Sequence, residues 1–161
     1  MMGCGKTTIG QRLAQLLAWP WYDTDAVIEA EYGAISDIFA RHGESYFREI
    51  ETQTLASLSA LDEVILSVGG GLVLRKENVD ILRGNAKIVF LDADISTLEK
   101  RLQDDVNRPL LKSEEGLHMR LASLLKERLP IYQSVADYVV KVDNKTVDEV
   151  AKEVLLLAVK Q

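Results

Sequence analysis

Residues 3–8 read Gly-Cys-Gly-Lys-Thr-Thr and run straight into Ile9, Leu13, Leu16 and Leu17, an apolar stripe at helical spacing. No other stretch limits the possible folds so tightly. Gly-Lys-Thr at the mouth of a helix ends a phosphate-binding loop, Gly-x-x-x-x-Gly-Lys-[Ser/Thr], which normally follows a buried strand. With its second glycine at Gly5, the pattern puts Lys6 and Thr7 in place, and its first glycine falls one position before Met1. Glycines let backbone N–H groups turn inward around phosphate oxygens, and the helix N-terminus adds partial positive charge. In such a loop Lys6 reaches the β- and γ-phosphates and the Thr7 hydroxyl ligates Mg²⁺. A plain glycine-rich turn ahead of a helix is the alternative for this stretch read alone.

The rest of the chain alternates. Helical patterns are expected over Lys6–Ala18, from Ser36, over the long run from Glu44, over Asn78–Gly84, Ile95–Leu102, Glu115–Leu129 (with Pro130 following as a stop) and Val147–Val159. Short apolar runs, Trp19–Asp23, Glu63–Val68, Ala86–Ala93 and Asp137–Val142, read as strands. Strands alternating with helices predict an α/β fold with a parallel sheet covered on both faces. Ligands of such sheets bind beyond the carboxyl ends of the strands. Asp23 and Asp25 follow one strand, and Gly69, Gly70 and Gly71 follow another.

At 161 residues the chain is the size of one domain. A net charge of −6 argues against a nucleic-acid partner. No apolar run approaches the ~20 residues that span a bilayer, and no signal peptide is visible. The single cysteine, Cys4, makes no internal disulfide, which suits a reducing cytoplasm. It is either a small residue fitting a tight loop or a thiol made more acidic by the helix start.

Several other residues carry candidate chemistry. One of Asp23 and Asp25 can position Mg²⁺ through water while the other takes the proton of an acceptor hydroxyl; helix N-capping is the alternative and is compatible. Glu44, Arg48 and Glu51 share a helix face, either as a surface salt-bridge ladder or with Arg48 facing the cleft to fork a substrate carboxylate. Ser67 and the glycine triplet lie where a small acceptor can dock against backbone, or else form a flexible turn. Arg108 occupies a polar, proline-marked loop, and an arginine there can meet phosphates on closure. Arg128, at a helix end before a proline, also suits the helix dipole; read singly, Arg101, Arg108 and Arg128 are each more often surface arginines.

Taken in order, "GCGKTT", "YDTD", "FREIE", "GGG", "NRPLL" and "ERLPIY" resemble the shikimate kinase family along nearly the whole chain. Only the phosphate loop is specific by itself; the ordered set is highly specific. The resemblance implies a single P-loop kinase domain over residues 1–161, a three-layer α/β/α sandwich, with a lid at about 103–116. It implies ATP-dependent phosphorylation of the 3-hydroxyl of shikimate in aromatic amino-acid synthesis, by a cytoplasmic monomer using ATP and Mg²⁺, with no nucleic-acid or membrane partner. By position, Gly3, Cys4, Gly5, Lys6, Thr7 and Thr8 resemble the nucleotide loop. Asp25 looks like the residue that meets the reacting hydroxyl, and Thr7 and Asp23 (through water) like the Mg²⁺ ligands. Arg48, Arg128 and Gly69, Gly70 and Gly71 resemble the shikimate clamp, Arg108 the lid arginine and Arg101 the residue flanking adenine. The family carries a central strand before its first glycine. The resemblance therefore implies a chain truncated at its N-terminus relative to the family, with that strand missing. A gluconate or nucleoside monophosphate kinase, or a non-catalytic nucleotide-binding module, is the competing function.

Overall fold

A computed structural model describes residues 3–102 and 116–158. By backbone contacts the chain divides into two compact units, Lys6–Ile88 and Met1–Gly5 with Val89–Gln161. Both are built from helices and parallel strands, the α/β organisation expected from the alternating sequence.

The Lys6–Ile88 unit opens with α1 (Lys6–Leu17), which buries Ile9, Gly10, Leu13 and Ala14 along one stripe. The helix stops one residue short of the expected Ala18. Ala18 adopts φ 55°, and Trp19 N donates to Ala14 O at 3.1 Å, the backward bond of a Schellman-type terminus. Because Trp19 closes the helix and Pro20 follows, the strand β1 covers only Trp21–Asp23. It pairs in parallel with β2 (Ile65–Ser67), Trp21 opposite Ile65 and Asp23 opposite Ser67. Between them lie α2 (Thr24–Tyr32) and α3 (Ile35–Ser59). The two helices expected across this region run together, with a break at Gly43, whose φ of 79° and ψ of 176° are not helical. The first begins at Ile35 rather than Ser36. Ala34 gives no side-chain cap, and the Glu29 carboxylate of α2 accepts the Ile35 N–H instead, at 3.2 Å. Ile28, Ile38, Phe47 and Ile50 pack α2 and α3 into one core. A second cluster, Leu55, Leu72 and Leu82, joins α3 to the short turn Leu72–Leu74 and to α4 (Lys76–Asn85).

In the other unit β3 (Val89–Asp92) pairs in parallel with β4 (Tyr138–Lys141). The helices are α5 (Ile95–Leu102), α6 (Gly116–Val135) and α7 (Val147–Ala158). Pro130 was expected to follow a helix and lies inside α6 instead. Proline removes one backbone bond, but the helix gains by continuing: Tyr132 and Val135 extend the buried stripe begun by Leu121 and Leu124. The start of α7 is held by a capping box: Glu149 N donates to Thr146 Oγ1 at 3.3 Å, and Glu149 Oε2 accepts Thr146 N at 2.7 Å.

Among the described residues the strands make two parallel pairs, β1–β2 and β3–β4, each inside its own unit, and no described strand precedes Lys6. The pairings are short, three and four residues, so burial by the flanking helices contributes more to stability than the ladders do.

Candidate active site

The phosphate loop takes the backbone that its glycines allow. Gly3 has φ 73° and Gly5 φ 92°, left-handed values that suit residues lacking a Cβ. A Cβ on Gly3 would also meet Leu102 Cγ at 3.0 Å. Cys4 between them is buried, which favours the reading of a small residue in a tight loop. The Arg101 guanidinium, from the last turn of α5, donates to Gly3 O at 3.2 Å. Its contact with the loop is thus through the backbone.

In the Lys6–Ile88 unit, Thr7 and the end of β1 meet directly: Thr7 Oγ1 donates to Asp23 Oδ2 at 3.3 Å. The other Asp23 oxygen accepts Asp25 N at 3.1 Å and caps α2. The cap is therefore observed, and it is compatible with the other reading of Asp23, because a carboxylate has two oxygens and the cap uses one. A hydroxyl and a carboxylate oxygen side by side are the hard donors that Mg²⁺ prefers. Thr24 ties the next layer: its Oγ1 accepts Gly69 N at 3.3 Å.

The glycine turn is packed, not loose. A Cβ on Gly69 would stand 3.1 Å from Asp25 Oδ1 and 3.3 Å from Glu51 Oε1. One on Gly71 would stand 2.9 Å from Arg48 Nη1. The turn thus lies directly against Asp25, Glu51 and Arg48. Of the two readings of Arg48, the surface ladder accounts for the bonds to Glu44, which Arg48 Nε makes at 3.3 Å alongside Nη2, and not for the bond to Glu51. Arg48 Nη2 pairs with exposed Glu44 at 3.2 Å, while Nη1 pairs at 2.9 Å with Glu51, whose side chain is 2% exposed. Burial acts to lower the Arg48 guanidinium pKa, but the hydrogen bonds and charges of Glu51 and Glu44 outweigh it and raise it. Burial pushes the Glu51 carboxyl above the usual carboxylate range despite Arg48, and the nearby Asp25 charge adds to the push. Arg75, a residue the sequence did not flag, donates to Arg48 O at 3.0 Å and holds the helix backbone there.

In the other unit Arg128 and Tyr132 are one turn apart on α6 and share a side-chain hydrogen bond. Tyr132 is buried against Phe90, ring centroids 5.1 Å apart, and burial raises its pKa. Arg128 Nε is itself buried with no hydrogen-bond partner among the described residues. Arg108 and the expected lid, apart from Gly116, lie outside the described residues.

Glu51, Thr24 and Arg75 escaped the sequence reading as site residues. Only Glu51 carried a usable signal, its position three residues after Arg48; the other two are placed by chain segments distant in sequence.

Comparison with known proteins is consistent across sequence and structure. The family model described as shikimate kinase matches residues 2–158. A shikimate kinase of Dictyoglomus turgidum is 43% identical over 159 residues, 96% of this chain and 91% of the relative. One from Caldicellulosiruptor bescii is 42% identical over 155 residues, 96% of this chain and 89% of the relative. The structure of shikimate kinase from Acinetobacter baumannii in complex with shikimate superposes with TM-score 0.90 at 36% identity, over 97% of this chain and 87% of that one. The expected N-terminal truncation is not borne out: the family model is matched from residue 2, and most of each relative's length is covered.

Proposed function

Because the chain belongs to the shikimate kinase family, we infer that it transfers the γ-phosphoryl group of ATP to the 3-hydroxyl of shikimate. The observation that carries this reading is the packing of Gly69 and Gly71 against Asp25, Glu51 and Arg48. It brings a cation, a carboxylate and closely approachable backbone together at the end of β2, what a small anionic polyol requires. Thr7 and Asp23, hydrogen-bonded to each other at the start of α1 and the end of β1, belong to the phosphate-donor side.

The roles follow from chemistry. Gly3, Cys4, Gly5 and Thr8 supply the loop around the ATP phosphates, and Lys6 counters charge on the transferring group. Mg²⁺, when bound, neutralises phosphate charge; Thr7 and Asp23, the latter through water, would hold it. Asp25 hydrogen-bonds the acceptor hydroxyl and accepts its proton as the bond to phosphorus forms. Arg48, paired with Glu51, and Arg128 take the shikimate carboxylate, and Gly70 serves the acceptor from the glycine turn. Arg101 flanks the adenine and Arg108 meets the phosphates. Such a reaction depends on positioning and charge stabilisation, so groups held by buried partners suit it. The same reading makes the enzyme a cytoplasmic monomer; among the described residues no helix is long and apolar enough to cross a membrane.

An ADP-release assay with shikimate, gluconate and nucleoside monophosphates tests the proposal. ADP release is expected with shikimate alone. Turnover of gluconate or a nucleotide in its place, or none with any acceptor, would overturn it.

A further inference from the structure

We propose that Ser67 is a positioning residue for phosphoryl transfer, its hydroxyl tying the backbone of Lys6 to the strand end that carries the glycine turn. The proposal rests on the shikimate kinase reading and deepens it.

Ser67 is the last residue of β2 and is 4% exposed. Its hydroxyl is fully committed. Trp21 Nε1 donates to Ser67 Oγ at 2.9 Å. An indole N–H is donor only, and a hydroxyl has one proton. That proton therefore goes the other way, to Lys6 O at 3.1 Å. The indole thus sets the direction of the bond to the phosphate-loop lysine. Gly10, one turn along α1, leaves room for both groups: a Cβ there would stand 2.6 Å from Trp21 Nε1 and 2.7 Å from Ser67 Oγ. The peptide of Ser67 faces the acceptor side. Thr24 Oγ1 donates to Ser67 O at 3.5 Å and accepts Gly69 N at 3.3 Å. One residue therefore joins the start of α1, the β1–α2 junction that bears Asp23 and Asp25, and the turn that bears Gly69–Gly71. Lys6 handles the donor and the glycine turn the acceptor, so Ser67 fixes the distance between them without touching either substrate.

A residue with that role governs the rate and not the affinities. Ser67→Ala is expected to lower kcat about tenfold or more, with KM for ATP and for shikimate changed by about twofold at most. Ser67→Thr, which keeps the hydroxyl, is expected to recover most of the rate. Trp21→Phe, which leaves the bond to Lys6 without its guide, is expected to fall between. In a Trp19→Phe background the emission of Trp21 reads the tie without turnover, and Ser67→Ala is expected to shift it. Full kcat in Ser67→Ala, a threonine variant no faster than the alanine variant, or a rise confined to KM would overturn the positioning role. An unchanged Trp21 emission would overturn the hydrogen bond itself. Failure of the wild type to use shikimate, with the Trp21 shift present, would overturn the activity and with it the rate-setting role, while leaving the tie in place.

Discussion

Gly71→Ala isolates the contact between the glycine turn and Arg48. Gly71 has φ −84° and ψ −17°, an ordinary right-handed conformation, so alanine meets no backbone strain there. The added Cβ would, however, stand 2.9 Å from Arg48 Nη1 and 3.1 Å from Nη2. Relief requires the guanidinium to retreat by about half an ångström toward an ordinary contact. Its partner Glu51, 2.9 Å away and 2% exposed, sits in a packed core and does not follow. At an effective dielectric of about 20, a charge pair at ~2.9 Å attracts by about 6 kcal/mol and at ~3.5 Å by about 5, so the retreat costs about 1 kcal/mol. Alanine returns about 0.4–1 kcal/mol by restricting the unfolded chain. Net stability should therefore barely change, with the melting temperature held within about 3 °C. Substrate binding has no such compensation. An Arg48 displaced from its carboxylate-binding geometry should lose about 1–2 kcal/mol, which raises KM for shikimate about 5- to 30-fold and leaves KM for ATP unchanged. Initial rates at saturating ATP, with melting curves of the same preparations, make the measurement. Gly84→Ala, where a Cβ would have nothing within 4 Å, is the control and should leave both constants alone. An unchanged KM for shikimate in Gly71→Ala, or a melting temperature lowered by more than about 5 °C, would show that the yielding contact is not Arg48.

The remaining expectations concern single side chains. Lys6→Ala should reduce turnover about a hundredfold or more with melting nearly unchanged; wild-type turnover would remove Lys6 from the reaction. Asp25→Asn should act on kcat and Arg48→Ala on KM for shikimate, and steady-state kinetics showing the reverse split would refute both roles. Glu51 provides a pH test. Its carboxyl is raised in the folded state by burial, so its contribution to stability is full below the ordinary glutamate value of about 4.3 and is lost as pH rises through the folded value. Glu51→Gln removes that loss. The melting temperature of the glutamine variant minus that of the wild type should therefore increase from about pH 4 to about pH 7, and a flat or falling difference would contradict the assignment.

Local patterns were sufficient for the parts of this protein that depend on neighbours in the chain. The stripe of Ile9 and Leu13 determined α1, and the glycines at 3 and 5 determined a loop whose backbone needs positive φ. Asp23 and Asp25 marked the end of β1, and the ordered motifs were enough to point to the family. Tertiary structure decided the rest. Pro130 reads as a stop, yet α6 continues because burying Tyr132 and Val135 outweighs one lost backbone bond. Ser36 reads as a cap, yet the N–H of Ile35 is taken by Glu29 from another helix. Arg48 has carboxylates at both helical spacings, and nothing local tells which is solvated; burial of Glu51 by distant segments makes one a surface pair and the other a fixed ion pair. Ser67 lies 61 residues from Lys6 and 46 from Trp21, so its tie exists only once β1, β2 and α1 are packed. Propensity acts over a few residues, whereas burial and hydrogen-bond satisfaction act between segments that only the fold brings together.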